Sequence, residues 1–318
     1  MRKFRVFGLL LIGIILLTGL RPFAGLVPPL TDIRSIDSLA DDDSRFAAIN
    51  GLKVHDKEMD SGESEVILLN GSGASTYSWR EVMKPLADQG RVIAYDRPAF
   101  GLTQRPLPAE WSGESPYGMS AQVAALIGLM GHLDIERDIW VGNLAGGTVA
   151  IQAALNYPER VYTMEFVDAV INTGNPFPNW VSGILRPPQI RHFGPLIARQ
   201  IKSSDVDFII SAWHNPVKLA AEVIGTYQLP HQVDIWVRAL WQLTASVRGI
   251  DLLSRLVELN LTELVISGDD DRIVPVLQSI QLAGAIRGAH FGGLSSSGHI
   301  PQKECPSAFL ESILALNR

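Results

Sequence analysis

Asp138-Ile139-Trp140-Val141-Gly142-Asn143-Leu144-Ala145-Gly146-Gly147 is the stretch that decides the fold. A mostly apolar run ends at Gly142, one residue separates that glycine from Leu144, and three small residues follow. The layout is strand, sharp turn, helix. A turn that tight leaves no room for flanking side chains, which accounts for Gly142 and Gly146. The central residue is then held in a strained backbone with its side chain presented beyond the strand. The N–H of Ala145 opens the next helix, where backbone donors favour negative charge. A plain glycine-rich strand-to-helix turn is the alternative, and these residues alone do not separate the two.

The surrounding chain repeats the same rhythm. Glu65–Leu69 reads as a strand ending at Asn70-Gly71, Trp79–Ala87 as a helix, and Arg91–Tyr95 as a strand ending at Asp96. Ser120–His132 is amphipathic, with Ser120 as its expected cap. Asp138–Val141 and Tyr162–Val167 are strands on either side of the helix Gly146–Tyr157. Such alternation predicts an α/β fold, a mostly parallel sheet with helices on both faces. The rhythm breaks from about 171 to 250, a helical, Pro-punctuated stretch with Trp180, Trp213, Trp236 and Trp241. It resumes at Leu264–Gly268. Because the chain leaves the sheet and returns to it, the middle stretch is expected to be a helical lid inserted into one domain covering 46–318.

Composition removes several function classes. With 318 residues, 47% hydrophobic, the chain can bury one large core with an insertion. Its net charge of -6 and the lack of a basic stripe in the globular part argue against nucleic acid as a partner. One cysteine, Cys305, permits no internal disulfide and no cysteine metal site, and no cofactor or metal is expected. Arg2, Lys3 and Arg5 precede the apolar run Val6–Leu20, which Arg21 and Pro22 end. A positive flank before an apolar core is a targeting pattern. Residues 1–30 are therefore expected to be an uncleaved membrane anchor with the globular domain outside the cytoplasm, or else a signal peptide removed on secretion. Residues 31–45 read as a polar linker.

Two further stretches sit where a site would form. Asp269-Asp270-Asp271-Arg272 follows the strand ending at Gly268, and Gly298-His299 follows the last expected strand. Singly, Asp271 is a turn residue and His299 a loop histidine. Together with the turn at 142–146 they give the order turn residue, acid, histidine. On these residues the chain resembles the α/β-hydrolase superfamily, in its lidded branch of esterases, epoxide hydrolases and haloalkane dehalogenases. Asn70-Gly71-Ser72-Gly73-Ala74-Ser75 resembles the family's oxyanion loop, with Asn70 in place of the usual His. Asp96-Arg97-Pro98-Ala99-Phe100-Gly101 resembles its Asp-x-Pro-Gly-x-Gly turn, with Ala99 for a Gly. Gly298-His299 with Glu304, Pro306 and Phe309 resembles its closing segment. The resemblance implies Asp271 as triad acid, His299 as base, and the N–H groups of Ser72 and Ala145 as oxyanion hole. Asp269 and Asp270 are neighbours open to confusion with the acid.

Leu144 departs from that pattern. The family's elbow carries Ser, Asp or Cys, because covalent catalysis needs an attacking atom, and leucine has none. Removing a triad nucleophile leaves only ~10³–10⁴-fold catalysis over water. Asn143 and Ala145 are poor substitutes, and Ser72 or Ser297 is more simply a loop serine. Three expectations follow for function. The chain is a hydrolase of small to medium apolar ester-like substrates, impaired at one position. Or it is a pseudoenzyme that binds an apolar small molecule. Or it works without a nucleophile, with His299 as general base and Asp271 orienting it.

Overall fold

The computed structural model describes residues 29–59, 64–107, 110–170, 188–246 and 251–316. Eight strands form one sheet: β1 (Arg45–Ile49), β2 (Leu52–Met59), β3 (Ser64–Leu69), β4 (Gly90–Tyr95), β5 (Asp138–Asn143), β6 (Val161–Val167), β7 (Thr262–Gly268) and β8 (His290–Leu294). Their order is β1-β2-β4-β3-β5-β6-β7-β8. The β1–β2 and β2–β4 pairs are antiparallel, and every other neighbouring pair is parallel. The expected α/β architecture is what the chain adopts.

Burial on both faces follows from the period-two geometry of the strands. In β3, Ile67 and Leu69 enter one core cluster, with Leu126, Leu129, Val149 and Phe166. Val66 and Leu68 enter the other, with Trp79, Met83, Leu86 and Phe309. Each fully buried side chain of this size contributes ~1.5–3 kcal/mol. Among the helices are α1 (Ile36–Leu39), α2 (Arg80–Ala87), α3 (Met119–His132) and α4 (Ala145–Asn156).

Three features differ from the sequence expectations. Residues 45–59 form a hairpin that alternation of strands and helices does not announce, closed by Asn50 and Gly51 at φ 50° and 81°. Asn-Gly between two strands is a strong hairpin cue, because both positions need positive φ. The stretch expected as a linker carries α1 and docks on the helical insertion: the Arg34 N–H donates to Gln232 O at 2.8 Å, and Ile33 packs with Trp236 and Val237. Helix α3 starts one residue before Ser120, with Gly118 at the cap position and no side-chain cap bond.

Between β6 and β7 lie α5 (Pro188–Ser211), α6 (Ala221–Gln228) and α7 (Trp236–Ser246). They are followed after β7 by α8 (Val276–Ala285), α9 (Pro301–Glu304) and α10 (Pro306–Leu316). Of the expected anchor, residues 1–30, all but 29 and 30 lie outside the described residues. Among the described residues no helix is long and apolar enough to cross a membrane.

Candidate active site

The turn after β5 has the tightness its glycines suggest. A Cβ on Gly146 would lie 2.2 Å from the carbonyl oxygen of Leu69, and one on Gly142 would lie 2.5 Å from the backbone nitrogen of Gly147. Between them Leu144 adopts φ 49°, ψ −117°, a conformation leucine enters only under constraint, at a cost on the order of 1–3 kcal/mol. Its N–H donates to Val167 O at 3.0 Å, which pins the turn to the end of β6. Ala145 then starts α4.

Asp271 follows β7 and His299 follows β8, so both reach the same edge of the sheet as Leu144. His299 Nδ1 lies 2.8 Å from Asp271 Oδ2, and both side chains are buried. A carboxylate only accepts, so Nδ1 carries the proton and Nε2 offers its lone pair. Nε2 is buried with no hydrogen-bond partner among the described residues. The other Asp271 oxygen accepts from the N–H groups of Ile273 at 2.7 Å and Val274 at 2.9 Å. Asp270 instead pairs with Arg272 and His214, and Asp269 accepts weakly from the Ser297 N–H at 3.4 Å. Only the third aspartate of the run therefore faces the histidine.

The His299 loop is wedged under the insertion. The His299 N–H donates to Ala212 O at 2.8 Å, and a Cβ on Gly298 would lie 2.4 Å from that same oxygen. Asn143 ties it from below, donating to Val167 O at 3.0 Å and His299 O at 3.4 Å. A small cavity of about 60 Å³ brings Ser72, Leu144 and His299 together, under Phe208 and Ile209 of α5 and Tyr227 of α6. A larger one of about 660 Å³ is lined by Ser72, Leu144 and Ala145 from the other side, with Thr148, Val149 and Leu243. The residues expected from the sequence are thus gathered around one residue, Leu144. Ser72 itself is exposed, and Asn70 is buried with Nδ2 donating to Ala74 O at 2.7 Å, which shapes the loop that carries Ser72.

Asp168 belongs to the same cluster, and no sequence motif marks it. It directly follows β6, as Asp271 closely follows β7, and that shared position is the cue. It is fully buried at φ 47°, with Oδ1 accepting from Ser267 Oγ at 2.7 Å and from the Gly268 N–H at 3.2 Å. Burial, and then the nearby Asp271 carboxylate, push it well above the usual carboxylate range. Burial therefore favours the protonated form of Asp168. Ligand-type atoms of Asp168, Asp271 and His299 lie within 4.8 Å of one another. The His299–Asp271 hydrogen bond accounts for part of that closeness.

A second serine–histidine–aspartate alignment lies elsewhere. His55 Nδ1 is 2.6 Å from Asp96 Oδ2 and Nε2 is 3.0 Å from Ser44 Oγ. Ser44 donates to Asp41 Oδ1 at 2.9 Å, and Asp96 also accepts the N–H groups of Thr76 and Leu102, both at 2.8 Å. These bonds staple the turn after β4. In that turn Gly101 has no substitute, since a Cβ would fall 1.8 Å from the Asp96 carboxyl group, while Ala99 tolerates φ 81°.

Comparison with known proteins agrees with this architecture. The chain is 26% identical over 282 residues to 2-hydroxy-6-oxo-2,4-heptadienoate hydrolase of Pseudomonas putida, covering 85% of this chain and 94% of that protein. It is 26% identical over 264 residues to 2-hydroxymuconate semialdehyde hydrolase of a Pseudomonas species, covering 79% and 86%. Among solved structures, the enol-lactonase of Burkholderia xenovorans superposes with a TM-score of 0.67 at 22% identity, covering 86% of this chain and 99% of that one. A family model described as the alpha/beta hydrolase fold matches residues 66–306, and the chain belongs to that family.

Proposed function

We propose that this chain carries an ester-hydrolase site for small to medium apolar substrates, with the covalent step blocked at Leu144. The observation that supports it is the backbone of Leu144, held at φ 49°, ψ −117° beside the His299–Asp271 pair. A turn relieved of catalysis has no need to hold leucine in that conformation. In a chain with serine at 144, Oγ would attack the substrate carbonyl while His299 Nε2 takes its proton. Asp271 would hold the ring by Nδ1–H, and the N–H groups of Ser72 and Ala145 would receive the oxyanion. Leucine supplies no attacking atom, so the remaining parts orient and polarise but do not acylate.

The helices of 188–246 act as the lid of this site, and the N-terminal segment, Val6–Leu20, as a membrane anchor that places the domain outside the cytoplasm. A second reading, a binding protein for an apolar small molecule, is favoured by the 660 Å³ cavity that Leu144 helps to line.

The test is an ester screen of the full chain, its Leu144→Ser variant and a His299→Ala control. The unmodified chain should match His299→Ala, and Leu144→Ser should gain turnover and react with a fluorophosphonate at residue 144. A folded but inert Leu144→Ser chain would move the assignment to the binding protein. His299-dependent turnover in the unmodified chain would replace both with general-base catalysis.

A further inference from the structure

The wall of the larger cavity that comes from the turn after β4 holds a charge with no ion pair among the described residues. Arg97 lines that cavity with 1% of its surface exposed. Its Nε donates to Asn70 O at 2.8 Å, its Nη1 donates to Gln122 Oε1, and its Cζ sits 5.0 Å from the Phe100 ring centre. Every one of these partners is neutral. The remaining nitrogen, Nη2, is buried and has no hydrogen-bond partner among the described residues. Burial pulls the group down to about 10, which leaves it charged at neutral pH.

A buried guanidinium without an anion is costly, so the source of its counter-charge matters. Asp96, next in sequence, is committed to His55 and the N–H groups of Thr76 and Leu102. Glu114 lines the same cavity but is exposed, with no ion pair to Arg97 among the described residues. The undescribed stretches 1–28, 171–187 and 247–250 contain no Asp or Glu at all. Asp60 and Glu63 are the acids left outside the described residues. Among the described residues, none supplies an anion for Arg97 at this site.

We propose that Arg97 is the anchor for the carboxylate of the small molecule that fills this cavity. A guanidinium matches a carboxylate by its fork geometry, and a desolvated charge-assisted bond is among the stronger polar contacts. Arg97 is the only cation in the lining among the described residues, so its charge suits a monoanion better than a doubly charged phosphate. The rest of the wall, with Phe100, Leu144, Val149, Val170 and Leu243, suits an apolar body. The ligand is thus an apolar molecule with one acidic end at Arg97 and its other end at Leu144. This deepens the ester-hydrolase assignment and rests on it for the reacting end alone.

Binding, not turnover, provides the test. Full-length chain in detergent is titrated calorimetrically with phenylacetate, phenylpropionate and octanoate, each beside its neutral amide. At least one carboxylate should bind at least about tenfold tighter than its amide. Arg97→Gln should erase that preference, and Arg97→Lys should keep part of it. A merely structural role for Arg97, through its bond to Asn70, would weaken acid and amide equally. Equal binding of acid and amide by the unmodified chain, binding of none of the acids, or a folded Arg97→Gln chain that keeps the preference would overturn the proposal. If Arg97→Gln fails to fold, the acid–amide comparison on the unmodified chain still decides. An inert Leu144→Ser chain with the preference intact removes the hydrolase assignment and leaves the anchor. An active Leu144→Ser chain that takes neutral and acid-bearing esters alike removes the anchor and leaves the hydrolase.

Discussion

Leu144 leans on Gly71: a methyl group placed on Gly71 would come within 3.0 Å of the Leu144 Cβ and 3.3 Å of its Cδ2. The side chain fills the gap between the turn after β5 and the loop carrying Ser72. Serine at 144 enters without a clash, because it is smaller, but it gives up that packing. Leu144→Ser should lower stability by ~1–3 kcal/mol, read as a lower urea midpoint with an unchanged slope. An unchanged midpoint would show that Leu144 packs too loosely to matter.

The turn itself should be far less forgiving. Gly146→Ala drives a methyl group toward the carbonyl oxygen of Leu69, and backbone there has little freedom to move. We expect a loss of ~3 kcal/mol or more in urea unfolding, and no activity when it is combined with Leu144→Ser. Gly131, in α3, has open space around it. Gly131→Ala should be neutral or stabilising by up to ~1 kcal/mol through helix propensity, which makes it the control.

Glu263, in β7, is fully buried, and both its carboxylate oxygens lack partners among the described residues. Burial raises its pKa from 4.5 to about 7. A carboxyl group whose folded pKa is raised holds its proton more tightly when folded. Its contribution is complete below pH 4.5 and is lost as pH rises toward about 7. Glu263→Gln should therefore remove a downward slope of stability across that window. Relative to the unmodified chain it should gain up to ~3 kcal/mol between acid and neutral pH, since each tenfold difference in proton affinity between the folded and unfolded chain is worth ~1.4 kcal/mol. Parallel stability–pH curves for the two chains would contradict this.

Within the Leu144→Ser background the run 269–271 can be dissected. Asp271→Asn should lower kcat by up to ~10⁴-fold, because the amide no longer fixes the His299 ring with its proton on Nδ1. Asp270→Asn should leave kcat within a few fold, since Asp270 pairs at the surface with Arg272 and His214. Equal effects would mean that the His299–Asp271 bond does not orient the base.

Location offers a separate check. The full chain should sediment with membranes and need detergent for release, owing to the apolar run Val6–Leu20. A chain beginning at Asp32 should stay in the supernatant. Full-length, uncleaved protein in the soluble fraction would rule out the anchor.

Local pattern was enough for much of this molecule. Alternating apolar strands and helices dictate a two-faced parallel sheet, because each strand must bury both of its sides. Gly142 and Gly146 dictate the turn, because no larger residue fits. The positions of Leu144, Asp271 and His299 after their strands also follow from order along the chain. The hairpin at 45–59 is equally local, but its Asn50-Gly51 cue is overshadowed by the polar stretch before it. What tertiary structure alone decided is the electrostatics. That Asp271 and not Asp270 meets His299, that burial favours the protonated form of Asp168 beside them, and that Arg97 is buried with no anionic partner among the described residues all depend on groups distant in sequence. Desolvation and charge pairing are set by what surrounds a side chain in space, and one-dimensional spacing carries no measure of that.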